Sequence, residues 1–508
     1  MNLLSSASIF SFYTIISRIL GYLRDILIAI FLGASIFADA FFVAFRLPNT
    51  FRRLFAEGTF NAAFIPSYTS SKIESKKKGE AFADEVLTLL LLILIFLVTV
   101  AEIFAPYLVY LIAPGFIEDN NKFNLAIEFT RITFPFLLFV SLSSFFSGIL
   151  NSNNKFAAAS AAPIILNVVL ILSILIAYHQ NLEIAEKLSY GVTIAGIIQL
   201  VFLIYVTNKF YKPKLKIKLK VSKKVKFFLK KLLPSIFSSG VTQINILIGT
   251  IIASFQAGAV SYLYYADRVY QINLAIAGIA VGTVSLPVLS KAFKKQNLPK
   301  MSNIQNKSLE LSLLLSIPAS LGLILASREI VSGLFGYGSF TMLDVKKTSE
   351  ALMYFGYGVI AFALIKVLAN FFFARDNTKI PFYISTFMVF LNLIISLSFF
   401  KAVGFIIIPI ATSISTWIGV ILYLYLLNKY NFLLLQNKLF NSIIKIIISS
   451  LAMSFVLILL LERFSNFLDY NYIYKSIFLI FIVGFVGFVY LTSCYLLGLL
   501  KIKNYKTN

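Results

Sequence analysis

Eight charged side chains interrupt the first two apolar stretches of this sequence. Arg18, Arg24 and Asp25 lie in the first, and Asp39, Arg46, Arg52, Arg53 and Glu57 in the second. A charge at the centre of a membrane-spanning helix costs at least about 2.5–3.5 kcal/mol, so such residues are read as functional until shown otherwise. A guanidinium presents a planar fork of donors that matches phosphate or carboxylate. Several converging arginines therefore suit an oxyanion-rich ligand, and a diphosphate fits three or four of them. Asp25 follows Arg18 by two helical turns, which lets it accompany the arginine face as a counter-ion. Arg46 and Arg53 share the same spacing, and Arg53 and Glu57 form an i,i+4 pair. Arg268, in Tyr265-Ala266-Asp267-Arg268, is the matching charge later in the chain. The competing reading is a set of ion pairs that lock helices together, or snorkelling at an interface, which suits Arg52 and Arg53 best. Catalytic chemistry has no comparable support. With one Cys (Cys494) and one His (His179) there is no zinc spacing, no Cys/His pair and no disulfide framework. No GxxxxGK[ST] run is present either. The expectation is no catalytic residue, no metal ligand and no cofactor.

The elements that must hold these charges are membrane helices. Of the 508 residues 59% are hydrophobic and 13% charged, against about 25% charged in an ordinary soluble chain. Apolar runs of about 20 residues recur from end to end, each enough to cross a bilayer core. Strands would instead alternate over roughly ten residues. The predicted class is an all-α polytopic membrane protein with about 14 spans. They fall near 5–32, 36–65, 86–112, 129–151, 157–178, 189–208, 232–255, 264–290, 308–327, 350–373, 381–400, 405–427, 441–461 and 474–499. Ala38-Asp39-Ala40 has the form of a signal cleavage site, yet no basic segment precedes the apolar stretch, so the N-terminus is read as retained.

The formal net charge is +24, and its lysines cluster in alternate loops. Lys72–Lys78, Lys155, eleven lysines from Lys209 to Lys231, Lys291–Lys307, Arg375 and Lys379, Lys429 and Lys438, and Lys501–Lys506 fall on one side. Glu118, Asp119, Glu183 and Asp469 fall on the other. The positive-inside rule then places both termini in the cytoplasm and excludes nucleic-acid binding as the cause of the charge. The tract Lys212–Lys231 suits the anionic inner leaflet, and topology control alone reads identically. A faint repeat links residues 28–70 to 252–290. Each copy has Gly-Ala, then Asp after aromatics, then Gly-Thr, then Pro and Ser. Six spans separate the copies, which implies two parallel, pseudo-symmetric six-helix lobes around a central cavity. The predicted organisation is an N-lobe over 1–208, a basic amphipathic linker over 209–231, a C-lobe over 232–428, and a final pair of spans with a tail over 429–508.

Ser17-Arg18-Ile19-Leu20-Gly21-Tyr22-Leu23-Arg24-Asp25 resembles the opening motif of the MurJ (MviN) lipid II flippase family, within the MOP (multidrug/oligosaccharidyl-lipid/polysaccharide) exporter superfamily. Ala38-Asp39-Ala40-Phe41-Phe42-Val43-Ala44-Phe45 and Arg46-Leu47-Pro48-Asn49, then Phe51-Arg52-Arg53-Leu54-Phe55-Ala56-Glu57-Gly58, continue the likeness. Tyr265-Ala266-Asp267-Arg268, Gly282-Thr283 and Phe373-Ala374-Arg375-Asp376-Asn377 extend it. The resemblance implies two six-helix lobes plus two further helices that form a groove for a lipid tail. It implies that Arg18, Arg24, Arg52 and Arg268 line the cavity, with Ser17, Asp25, Asp39, Asn49, Arg53 and Glu57 supporting.

The implied substrate is lipid II, an undecaprenyl-diphosphate-linked peptidoglycan precursor, moved outward across the bacterial inner membrane by a monomer working by alternating access. Peptidoglycan synthesis machinery is an implied partner. Some members of the family hold sodium with acidic side chains. Here the corresponding spans offer Gln243, Asn245, Asn392, Ser396, Thr412 and Ser415 but no Asp or Glu, so membrane potential is the expected driving force. Lys366 is a further candidate cavity residue. The alternatives are a flippase for another polyprenyl-diphosphate-linked oligosaccharide of O-antigen type, a drug antiporter, a membrane enzyme acting on polyprenyl phosphates, and a scaffold for cell-wall synthesis. A cationic-drug antiporter would need unpaired carboxylates in the cavity. The enzyme would need a carboxylate set at a membrane surface, and Asp84/Glu85 and Glu118/Asp119 look like loop-edge charges instead.

Overall fold

A computed structural model describes residues 3–56, 59–215 and 221–500. Among these residues the structure is helical and has no strand, as expected. The chain divides into two compact units, Met1–Ser261 and Tyr262–Asn508. Among the described residues ten helical stretches are long and apolar enough to cross a membrane.

In the first unit, α1 (Leu3–Leu32) and α2 (Ile36–Ala56) meet at a tight turn. Gly33 takes φ 60° there, a left-handed conformation open to glycine at no steric cost. Helix α3 (Thr59–Glu74) takes in the last residues of the expected second span, and α4 (Lys76–Ile103) begins ten residues before the expected start of the third. Its first turns are polar, and Ser75 caps them by accepting from the Lys78 amide at 3.1 Å. After α5 (Ala105–Ile112), the fourth span is built of two pieces, α6 (Asn120–Thr133) and α7 (Phe136–Ser152), joined at Pro135. Helices α8 (Phe156–His179), α9 (Ile184–Thr207) and α10 (Lys223–Ala253) complete the unit. Helix α10 starts inside the basic tract, nine residues before the expected span.

Aromatic packing binds α10 to this unit. Phe60, Phe64, Phe82 and Phe228 are all buried, with ring centroids of Phe60–Phe228 and Phe82–Phe228 at 5.8 and 6.1 Å. Such pairs contribute about 0.5–1.5 kcal/mol each beyond the area they bury. A second tie lies at the far end of α10, where the Gly115 amide donates to Ser254 Oγ at 3.0 Å. A Cβ on Gly115 would stand 2.5 Å from the Phe255 backbone, so the chain approaches there as only glycine permits.

Helix α11 (Ala259–Leu274) begins in the last residues of the first unit, and in the second unit it runs through a π-helical turn, Ala275–Ala280, into α12 (Val281–Lys294). Such turns recur at functional sites and bends. Asn370 braces the junction by donating to the Gly282 carbonyl at 2.7 Å. Helices α13 (Leu298–Leu325), α14 (Ser327–Phe335), α15 (Met342–Phe373), α16 (Lys379–Val403) and α17 (Ile407–Lys429) follow. The final pair, α18 (Asn437–Arg463) and α19 (Lys475–Leu496), packs through Met453, Leu457, Ile482 and Val486. It turns Phe455, Ile480, Phe481 and Phe488 outward, each more than half exposed. Outward apolar side chains on a span are what lipid contact requires.

Gly115→Ala should force the Phe255 backbone away and destabilise the protein by about 1–3 kcal/mol. Thermal unfolding in detergent would register this as a lowered midpoint, and an unchanged midpoint would refute the close approach.

Candidate functional site

The buried charges of the first unit form two separate networks. In the first, Arg24 donates to Asp25 Oδ1 through Nε at 3.0 Å and Nη2 at 2.6 Å. Its Nη1 donates to Asn167 Oδ1 on α8 at 2.9 Å. Asn167 in turn donates to the Ser17 carbonyl at 2.8 Å. Arg24 is 6% exposed and Asp25 2%. Burial of this kind requires a charge to be paired and hydrogen-bonded, and both conditions are met here. Gly21 allows the approach, since its Cβ position is 3.5 Å from Asn167. Ser17, Arg24 and Asp25 are therefore brought together, while Arg18 is exposed. The counter-ion contact of Asp25 is with its neighbour Arg24.

The second network centres on Asp39, which is fully buried. Its Oδ2 accepts from Lys122 Nζ at 2.6 Å and the Gly258 amide at 3.0 Å. Its Oδ1 accepts from the Ser261 amide at 2.9 Å and hydroxyl at 2.5 Å. A carboxylate thus satisfies orphan donors at the start of α11, where the helix dipole also favours negative charge. The Lys122 ammonium, buried as well, sits 4.1 Å from the centre of the Phe116 ring. Asp39 is a locking residue here, sealed from solvent.

On α2, Asn49 accepts from Arg52 Nε at 2.9 Å across one helical turn. Arg46, Arg52 and Arg53 are half-buried on the same helix, and Glu57 lies outside the described residues. In the second unit, Arg268 donates to Tyr264 Oη at 2.8 Å and lies 4.8 Å from the centre of that ring. Asp267 accepts from Gln271. Lys366 is exposed on α15, beside the closely packed Gly278.

The polar side chains considered for sodium serve one another. Asn392 donates to Thr412 at 3.2 Å, Ser396 donates to Asn392 at 3.1 Å, and Ser415 donates to the Thr412 carbonyl. Gln243 and Asn245 belong to the other unit. Among the described residues no group of three or more His, Cys, Asp or Glu side chains is placed to hold a metal.

Sequence reasoning missed Asn167, Lys122 and Lys475. Asn167 was visible as a lone amide in an apolar helix. Lys122 and Lys475 carry positive charge on the side that the loop pattern leaves poor in it. Lys475 is buried, donates to the Gly336 carbonyl at 2.6 Å, and lies 4.3 and 4.5 Å from the centres of the Tyr337 and Tyr470 rings.

Arg24, Asp25, Asp39 and Lys122, buried among long apolar helices, define a polytopic membrane protein with paired charges in its interior. Its fold is similar to that of an inward-facing multidrug resistance MATE family transporter of the MOP superfamily, with a TM-score of 0.68 at 14% identity, covering 82% of this chain and 94% of that one. The family model described as lipid II flippase MurJ matches residues 28–480, and the chain belongs to that family. A probable lipid II flippase MurJ of Rickettsia prowazekii (strain Madrid E) is 37% identical over 99% of both chains. One of Rhizobium meliloti (strain 1021) is 39% identical over 80% of this chain and 77% of its own. The solved structure of a lipid II flippase MurJ in an inward closed conformation gives a TM-score of 0.81 at 28% identity, covering 96% of this chain and 98% of that one.

Removing one partner of a buried ion pair strands the other. Asp39→Ala should therefore cost about 3–5 kcal/mol, and Asp39→Ala with Lys122→Met less than that. Thermal unfolding of both variants measures the difference, and equal losses would contradict the pairing.

Proposed function

We propose that this chain is a lipid II flippase that carries its substrate from the cytoplasmic to the periplasmic leaflet of the bacterial inner membrane. The full-length membership of the lipid II flippase MurJ family carries the reading. The arginines supply the chemistry. Arg18, Arg24, Arg52 and Arg268 are the proposed ligands of the diphosphate. Ser17, Asp25, Asn49, Arg53 and Glu57 orient them, and Asp39 supports them as a lock. Both termini face the cytoplasm, the unit of function is the monomer, and no bond of the substrate is broken.

The contacts of Arg24 bear on mechanism. A guanidinium sealed by Asp25 and Asn167 reaches a phosphate only after α1 and α8 part. The headgroup would then replace Asp25 as its partner, at no net change in the number of charge-assisted bonds. Arg52 and Arg268 are likewise held, by Asn49 and Tyr264, in contacts that a phosphate oxygen outcompetes. Binding energy spent on breaking these contacts is how a substrate drives alternating access. The undecaprenyl tail stays in lipid, along the outward apolar faces of α18 and α19.

An inside-negative potential favours outward movement of an anionic headgroup by about 2.3 kcal/mol per charge per 100 mV. No sodium step is needed. Synthesis of peptidoglycan on the far side would then consume the product and keep the movement directional.

Reconstitution in liposomes, with lipid II accessibility followed at the outer leaflet, tests the proposal. Arg24→Ala and Arg268→Ala should each slow translocation at least about tenfold, given about 1.5–3 kcal/mol for a hydrogen bond to a charged group. Wild-type rates in both variants would remove the arginines from the site. Translocation of O-antigen-type lipids but not lipid II would move the assignment to the other polyprenyl-diphosphate class.

A further inference from the structure

Among the described residues of the basic segment between α9 and α10, backbone amides and a phenol join it to carboxylates of the first unit. Asp84 Oδ1 accepts from Tyr211 Oη at 2.5 Å and from the Lys214 amide at 3.0 Å. Glu85 Oε1 accepts from the Ser222 amide at 2.5 Å. Burial, together with the hydrogen bond to Asp84, pushes the Tyr211 phenol well above its ordinary pKa, so it stays a donor at any working pH. Lys224 is the lysine whose ammonium joins the clamp, pairing with Glu74 at 2.5 Å. From there α10 begins as an amphipathic helix. Val225, Phe228 and Leu232 are buried in the core of the unit. Lys223, Lys226 and Lys230 are exposed, and Lys212 before them is exposed too. Phe227 is 57% exposed, with the Lys231 ammonium 4.3 Å from its ring centre.

The second unit contains an internal control. The segment between α17 and α18 is captured by Ser302, Gln305 and Asn306 of α13. Ser302 and Asn306 donate to the Leu434 carbonyl at 2.9 and 2.7 Å, and Gln305 donates to the Phe432 carbonyl at 2.9 Å. The Leu434 and Gln436 amides donate back to Gln305 and Asn306, each at 3.0 Å. Asp84 and Asn306 are 222 residues apart, and Tyr211 and Phe432 are 221 apart, so the two clamps occupy corresponding places in the internal repeat. The second captured segment, Phe432–Gln436, carries no charge, and uncharged side chains hold it. Capture of a linker therefore does not require lysines. Their charge in the first segment calls for a partner beyond the clamp.

We propose that Lys212, Lys223, Lys226, Phe227 and Lys230 form a docking surface for anionic phospholipid headgroups. Helix α9 is long and apolar enough to span, and it delivers the segment to a bilayer surface. A basic face with one exposed aromatic matches the chemistry of that surface: ammoniums meet phosphates while the ring enters the headgroup boundary. Each basic residue near an anionic leaflet adds its own attraction, so four lysines together hold a short helix start against the surface. The acidic clamp keeps Tyr211, Lys214 and Ser222 on the protein while the lysines face the lipid.

The test uses the full-length protein in nanodiscs of phosphatidylcholine alone or of phosphatidylcholine with phosphatidylglycerol. Hydrogen exchange is followed over the first turns of α10. Anionic lipid should slow exchange about tenfold or more, and high salt should abolish the effect. K212Q/K223Q/K226Q/K230Q should lose the slowing, and the four Lys→Arg replacements should keep it. Equal exchange of the wild type in both discs overturns the proposal, whatever the variants do. Protection by an added oligonucleotide in phosphatidylcholine discs, with none from phosphatidylglycerol, also overturns it. If the glutamine variant inserts with altered topology, the wild-type lipid comparison and the arginine variant still decide. Because no arm contains lipid II, failure here is separate from failure of the flippase reading.

Discussion

The cost of holding charge away from water governs this structure. A carboxylate or guanidinium in an apolar bundle is tolerated only when its hydrogen-bonding capacity is met locally. Asp39 shows the strictest case. Four donors converge on its two oxygens, two of them backbone amides near the start of a helix. Helix α2 is thereby tied to α6 through Lys122 and to the first turn of α11. Arg24 imposes the same discipline on α1 and α8 through Asn167. The bulk of the packing is non-directional apolar contact, which says little about register. These few polar contacts specify which helix faces which.

The guanidiniums meet the same constraint with different partners. Arg24 shares its fork between one carboxylate and one amide, Arg52 leans on Asn49, and Arg268 leans on Tyr264.

Linker capture is achieved differently in the two units. Asp84 and Glu85 on α4 accept from one segment through carboxylates, and Gln305 and Asn306 on α13 accept from the other through amides. Glu74 follows the same logic, since hydrogen bonds from Lys224 and Lys78 hold its carboxyl below the usual range.

Much of this was legible in the residues. Apolar runs announced helices, because a backbone in lipid must satisfy itself within one segment. The charges in the first two stretches stood out because their cost is local and visible in composition. Loop lysines carry the expected orientation through the positive-inside pattern. What only the tertiary structure decided is who answers each charge. Arg24 finds Asn167 across 143 residues and Asp39 finds Lys122 across 83. Whether a charged residue is exposed, as Arg18 is, or sealed, as Arg24 is, depends on which neighbouring helix covers it. Helical periodicity assigns a residue to a face, and long-range packing alone determines what that face meets.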